Sequence, residues 1–222
     1  MKKLSSIEKE CFRQIFETVG TTNKFFVEIG FDGHFDREMI PDWTGVYVDK
    51  KMPPEALFVH HVKLVEKFVT CENLNSLLKD AGVPPKSDLF AIDIDGNEYH
   101  ILKALTATDP NVIISEYNSS FGPELNVTIP YDAYFTRDRM PLYHGASLGA
   151  LNKLLSKRGF SLVGCEHYGV NAFFVKKELC KDKLKVYTVT EAFVPSVHRE
   201  CEGTWQTQLQ KIKSANLELM EI

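Results

Sequence analysis

At 222 residues, 44% hydrophobic and 11% aromatic, the chain can bury one sizeable core and is too short for two ordinary domains. A formal net charge of -4 offers no basic footprint for DNA or RNA, and five cysteines, odd in number and without paired spacing, point to reduced thiols in a cytoplasmic setting. No apolar segment follows Lys2 and Lys3 and no run reaches membrane-spanning length, so neither nucleic acid nor membrane is expected as a partner.

The first predicted element is a helix. Ser5 with Glu8 has capping-box spacing, and Leu4, Ile7, Cys11, Phe12, Ile15, Phe16 and Val19 recur at helical intervals up to Gly20. Phe25 to Ile29 then reads as a strand running into Gly30, Phe31, Asp32 and Gly33, and Val46 to Val48 as a second strand ending in Asp49. Pro53 and Pro54 open a helix predicted through about Leu64; Lys67 to Thr70 is a short third strand, followed by a helix from Asn73 to Ala81. Leu89 to Ile94 and Val112 to Ile114 are short and β-branched, as interior strands of a parallel sheet are, with a helix from Glu98 to Leu105 between them.

Ser119 to Tyr143 carries Pro123, Pro130 and Pro141 without sustained periodicity and reads as a substrate loop. Ser147 to Lys157 is an amphipathic helix, and Phe160 to Glu166 pairs with Asn171 to Lys176 as an antiparallel ending around Tyr168 and Gly169. Lys176, Lys177, Lys181, Lys183 and Lys185 read as solvated surface. Trp205, Leu209, Ile212, Ala215 and Leu219 share one helical face, which packs on the domain or on a second subunit; the latter is the basis for expecting a homo-oligomer. The fold class is α/β: a Rossmann-like, mostly parallel sheet with an antiparallel C-terminal strand and helices on both faces. Residues 1–180 form the domain and 181–222 its helical extension.

Ligands of open α/β sheets bind outside the carboxyl ends of the strands, which is where this chain collects its polar residues. Glu28, Gly30, Asp32, Gly33, Asp49, Asp93, Asp95, Glu116 and Asn118 all fall at or beside predicted strand tips. Asp49 stands where an acidic side chain accepts hydrogen bonds from ribose hydroxyls. A dinucleotide would want a fuller glycine motif around its pyrophosphate, whereas Asp32 puts a carboxylate where that anion would sit. A nucleoside cofactor carrying an amino acid headgroup, with an ammonium for Glu28 or Asp32, suits the charge better.

These segments resemble the FkbM-type S-adenosylmethionine-dependent methyltransferases of the class I superfamily. The matching words are FVEIG, VYVDK, ENLNSLL, FAIDIDGNEYHILKAL, VIISEYNSSFGP, VTIPYD, GASLGAL and GFSLVG followed by GVNAFFV, in family order over roughly Phe25 to Val175. The resemblance implies S-adenosylmethionine as cofactor, with Glu28, Gly30, Asp32 and Gly33 in the first motif, Asp49 at the ribose and Glu72 with Asn73 beside adenine. It puts Asp93 nearest the methyl donor and Glu116 with Asn118 in the fifth-strand motif. The first motif, Gly-Phe-Asp-Gly, is poorer in glycine than is usual, and His144 stands where an aromatic is common.

The expected reaction is methyl transfer to an oxygen of a small molecule or glycan. Asp93 or Glu116 would accept the hydroxyl proton, or Asp93, Asp95 and Glu116 would hold a divalent ion such as magnesium. Asp95, Asn118, Tyr131, Asp132 and His144 would line the acceptor side. The alternative is a binding protein that has kept the fold without turnover.

Overall fold

The computed structural model describes residues 6–30, 42–52, 61–137 and 140–222. The strands are β1 (Phe25–Ile29), β2 (Thr44–Asp49), β3 (Val62–Glu66), β4 (Lys86–Ile92), β5 (Asp109–Glu116), β6 (Val127–Thr128), β7 (Phe160–Cys165), β8 (Asn171–Lys176) and β9 (Met220–Glu221). The helices are α1 (Ser6–Val19), α2 (Leu74–Asp80), α3 (Glu98–Ala104), α4 (Leu148–Lys157), α5 (Lys177–Cys180), α6 (Val189–Ala192) and α7 (Trp205–Ser214), with 3-10 turns at Ser119–Phe121 and Val197–Glu202.

Among the described residues seven strands form one sheet in the order β3-β2-β1-β4-β5-β8-β7, in which β8 runs opposite to the other six. The inner strands are buried along nearly their whole length because helices cover both faces, which is why they read as continuous apolar runs. Alternation along β1 sends Val27 and Ile29 to the face packed by Leu74, Leu78, Ile101, Leu102, Leu148 and Leu151. Phe26 goes to the opposite face, where Phe12, Ile15 and Phe16 of α1 pack with Trp43 and Tyr47. Each of these large side chains contributes about 1.5–3 kcal/mol by leaving water.

At the foot of the sheet, away from the strand tips, fully buried Asp88 accepts hydrogen bonds from the backbone amides of Thr22, Asn23 and Lys24 and from Asn111. This fixes the entry into β1 through a carboxylate of β4. The capping-box pair Ser5 and Glu8, the Asp32 and Gly33 turn and most of the helix predicted from Pro53 lie outside the described residues or side chains.

Three expectations are corrected. The third strand is Val62–Glu66, not Lys67 to Thr70, so the helix predicted through Leu64 cannot extend that far. Apolar Val62, Leu64 and Val65 fit a strand equally well, and pairing with β2 decides between the two periods. The C-terminal helix stops at Ser214, and Leu219 leads instead into β9, which pairs with β6. Finally, the start of the Ser119 to Tyr143 segment is no open loop: Phe121, Val127, Ile129 and Leu142 form a third buried cluster with Ile212 of α7. The apolar face of α7 is thus covered by its own chain. No described helix is long and apolar enough to cross a membrane.

Candidate active site

The tips of β1 and β4 meet at Gly30. Its φ of +83° is left-handed, and a side-chain carbon there would fall 1.6 Å from the Asp93 carbonyl oxygen, so only glycine fits. Asp93 follows β4 and is partly buried, with its amide donating to the Ile29 carbonyl (2.9 Å). Glu28 is buried within β1, and Asp49 ends β2 with Oδ1 accepting from the Lys51 amide (2.9 Å). Along this edge Glu72 accepts a 2.7 Å hydrogen bond from the Tyr131 hydroxyl, which itself accepts from the Cys71 amide. Asn73 is committed to its own turn, bonding the Thr70 amide and the Phe68 carbonyl.

After β4 the chain turns through Asp95 (φ +58°) into α3. Asn97, the residue before the helix, makes no side-chain cap; Glu98 instead ties down the preceding turn, its Oε1 accepting from the amides of Ile94 and Gly96, both at 2.9 Å. Sequence reasoning missed Glu98, although Asp95-x-x-Glu98 has capping-box spacing. Its other oxygen, Oε2, is buried and has no hydrogen-bond partner among the described residues, and the same is true of Glu116 Oε2.

Glu116 ends β5. Its Oε1 lies 3.4 Å from His144 Nε2 and 3.7 Å from Arg199 Nη2. Arg199, from the 3-10 turn before α7, was also missed, since nothing in the sequence connects it with residues some 80 positions away. Its Nη1 donates to Asn118 Oδ1 (2.6 Å), and its Nη2 lies 2.8 Å from His144 Nε2. Asn118 donates to the carbonyls of Leu142 and His144, both at 2.8 Å, so this amide holds the far wall of the site together.

The segment 131–137 runs across the strand tips. The Asp132 carbonyl accepts from Asn97, Phe135 packs on Gly96, and Arg137 pairs with exposed Asp95. Tyr134, largely exposed, stacks near Phe68 at 6.5 Å. The structure therefore brings together Gly30, Asp93, Asp95, Glu116, Asn118 and His144, with Glu98 and Arg199 added, and sets Glu72, Asn73 and Tyr131 toward β3.

Burial and the neighbouring Asp93 push the Glu98 carboxyl up to about 7. Burial together with Asp93, Glu98 and Asp95 raises Glu116 well above the usual range, against the pull of Arg199. Burial and the two arginines hold His144 well below its ordinary value, so its imidazole is neutral. In the metal-free protein Glu98 thus binds a proton that the unfolded chain has lost. The associated stability is complete below the unfolded value near 4.5 and is lost as pH rises through about 7. Denaturant titrations in chelator between pH 5 and 8 should show stability falling across this window, with a shallower fall in Glu98→Gln; an identical slope would refute the assignment.

A doubly covered, mostly parallel sheet with β4 at its centre and carboxylates at the strand tips defines a Rossmann-like protein built to bind a nucleoside-type cofactor. The family model for the methyltransferase FkbM domain matches residues 41–162, more than half of the chain, and the chain belongs to the FkbM methyltransferase family.

Similar folds occur in the MycE methyltransferase from the mycinamycin biosynthetic pathway, in complex with Mg and SAH (16% identity, TM-score 0.48, 75% of this chain and 48% of that one). They occur also in the 1,6-didemethyltoxoflavin-N1-methyltransferase of Burkholderia thailandensis, with its substrate and S-adenosylhomocysteine (14%, 0.48, 77% and 78%). A third is the N-terminal domain of EvdMO1 with SAH bound (16%, 0.44, 78% and 80%). The chain spans about half the length of MycE. No curated protein sequence matches it.

Proposed function

We propose that this chain transfers the methyl group of S-adenosylmethionine to a hydroxyl oxygen of a small molecule or sugar. The observation that carries the reading is the carboxylate group Asp93, Glu98 and Glu116 directly beside the Gly30 tip. A neutral amine can attack a methyl group without prior loss of a proton, but a hydroxyl gains most from a base or cation beside it, which this cluster supplies. In the transfer the acceptor oxygen bonds to the methyl carbon as the carbon–sulfur bond breaks, leaving S-adenosylhomocysteine, and the hydroxyl proton passes to Asp93 or Glu116.

The cofactor lies along Glu28, Gly30, Asp49, Glu72, Asn73 and Asp93, with Asp32 and Gly33 assigned to it on the sequence alone, and the acceptor faces Asp95, Tyr131 and Asp132. Asn118 and His144 support this side from behind through Arg199. Segment 131–137 covers the acceptor and excludes water from the sulfonium.

A hard divalent cation suits carboxylate donors such as Asp93 and Glu116, and the Oε2 atoms of Glu98 and Glu116, which have no hydrogen-bond partner among the described residues, fit it further. Bound there, such an ion would lower the pKa of an acceptor hydroxyl.

Calorimetry with S-adenosylmethionine and S-adenosylhomocysteine tests the reading. Both should bind, and Asp49→Ala should weaken binding by about 1.5–3 kcal/mol through loss of a charged hydrogen bond. If the folded protein binds neither at millimolar concentration, the reading fails. Binding without turnover on any hydroxylated acceptor would favour the inactive binding protein instead.

A further inference from the structure

We propose that Glu98, and not Asp95, completes a divalent-cation site with Asp93 and Glu116. The inference deepens the reading above, in which a cation serves the acceptor, but it rests on different side chains. One oxygen from each of Asp93, Glu98 and Glu116 lies within 4.8 Å of the others, the separation that ligands sharing one ion at about 2.1–2.4 Å can adopt. Glu98 and Glu116 each leave Oε2 buried with no hydrogen-bond partner among the described residues. An orphaned carboxylate oxygen out of water is costly, and two beside a third carboxylate need a cation or protons between them.

The neighbouring triad is differently placed. Asp95, Glu116 and His144 are also close enough to share an ion, but each already faces a guanidinium. Arg137 pairs with Asp95, and Arg199 lies against His144 Nε2 and Glu116 Oε1. Two guanidinium groups thus already supply positive charge on that side. Glu98 is also the more rigid ligand: its Oε1 is held by the amides of Ile94 and Gly96 and its side chain is fully buried, whereas Asp95 is exposed on the rim. Pinning of this kind orients a ligand before the ion arrives.

The test is manganese binding to the full chain without cofactor, followed by calorimetry and by loss of the free-ion paramagnetic resonance signal. One ion per chain should bind and be displaced by magnesium. Glu98→Gln keeps an oxygen for both backbone amides, so the turn survives, yet it should weaken manganese binding by at least about tenfold, as should Glu116→Gln. Asp95→Asn should change it by less than about threefold on the same reasoning, because Asp95 is no ligand. Thermal melts of each variant establish that it is folded.

If no manganese binds, or if Asp95→Asn abolishes binding while Glu98→Gln retains it, the proposal is overturned; the first outcome would leave the carboxyls sharing protons. S-adenosylhomocysteine binding is measured separately in chelator. Failure there with manganese still bound through Glu98 would defeat the cofactor reading and leave the cation site standing.

Discussion

Replacing Asp93 by Asn is expected to lower methyl transfer by about two to four orders of magnitude, the usual contribution of a positioned proton acceptor, while S-adenosylhomocysteine affinity changes only a few fold. The change is nearly isosteric, and the Asp93 backbone, which supports Gly30, is untouched. What is lost is negative charge at the β4 tip, facing Glu98 and Glu116. A ground-state cofactor contact would lose binding and turnover together, whereas an acceptor of the hydroxyl proton acts chiefly in the transition state. Equal losses in affinity and kcat would therefore move Asp93 to the cofactor side and leave Glu116 as the base. Glu116 is the weaker candidate in the metal-free protein, because three neighbouring carboxylates and burial favour its protonated form.

Much of this site is legible in the sequence because strand tips advertise themselves. An apolar run that stops abruptly at Gly30, Asp49, Asp93 or Glu116 marks both the end of a strand and the edge where ligands bind, and the sheet puts those ends side by side. Local pattern fails where pairing decides the outcome. Val62–Glu66 has no clean alternation and only its register with β2 makes it a strand, and Leu219 leaves the predicted helix because β6 offers a partner to Met220 and Glu221. In the sequence Glu98 is only the first residue of a predicted helix, and its second oxygen becomes informative only once its burial is seen. The segment after Asn118 lacks periodicity because it does two things in turn: Phe121 to Ile129 packs against α7, while 131–137 crosses the strand tips.

The largest stability effect is expected at Arg199. Replacing it by Met should destabilise the protein by about 3–5 kcal/mol, the loss seen when one partner of a buried ionic network is removed. The guanidinium is almost fully buried and always charged, and it bonds Asn118 Oδ1 while facing His144 and Glu116. Met fills the volume but removes one of the two donors to Asn118 Oδ1, leaving the Ser120 amide, and takes from Glu116 the cationic counterweight to three carboxylates. Lys should recover only part of the loss, because an ammonium cannot reach Asn118 and His144 with the two arms of a fork. Urea titrations of the three proteins provide the test. A Met variant within about 1 kcal/mol of the parent would mean that the network contributes little beyond packing, since surface-like substitutions stay in that range. A large loss, with Lys intermediate, would make the C-terminal extension part of the wall behind Glu116: Gln208 of α7 also bonds Ser120 and the Arg199 carbonyl, so the extension and the β5 tip are joined by the same buried polar contacts.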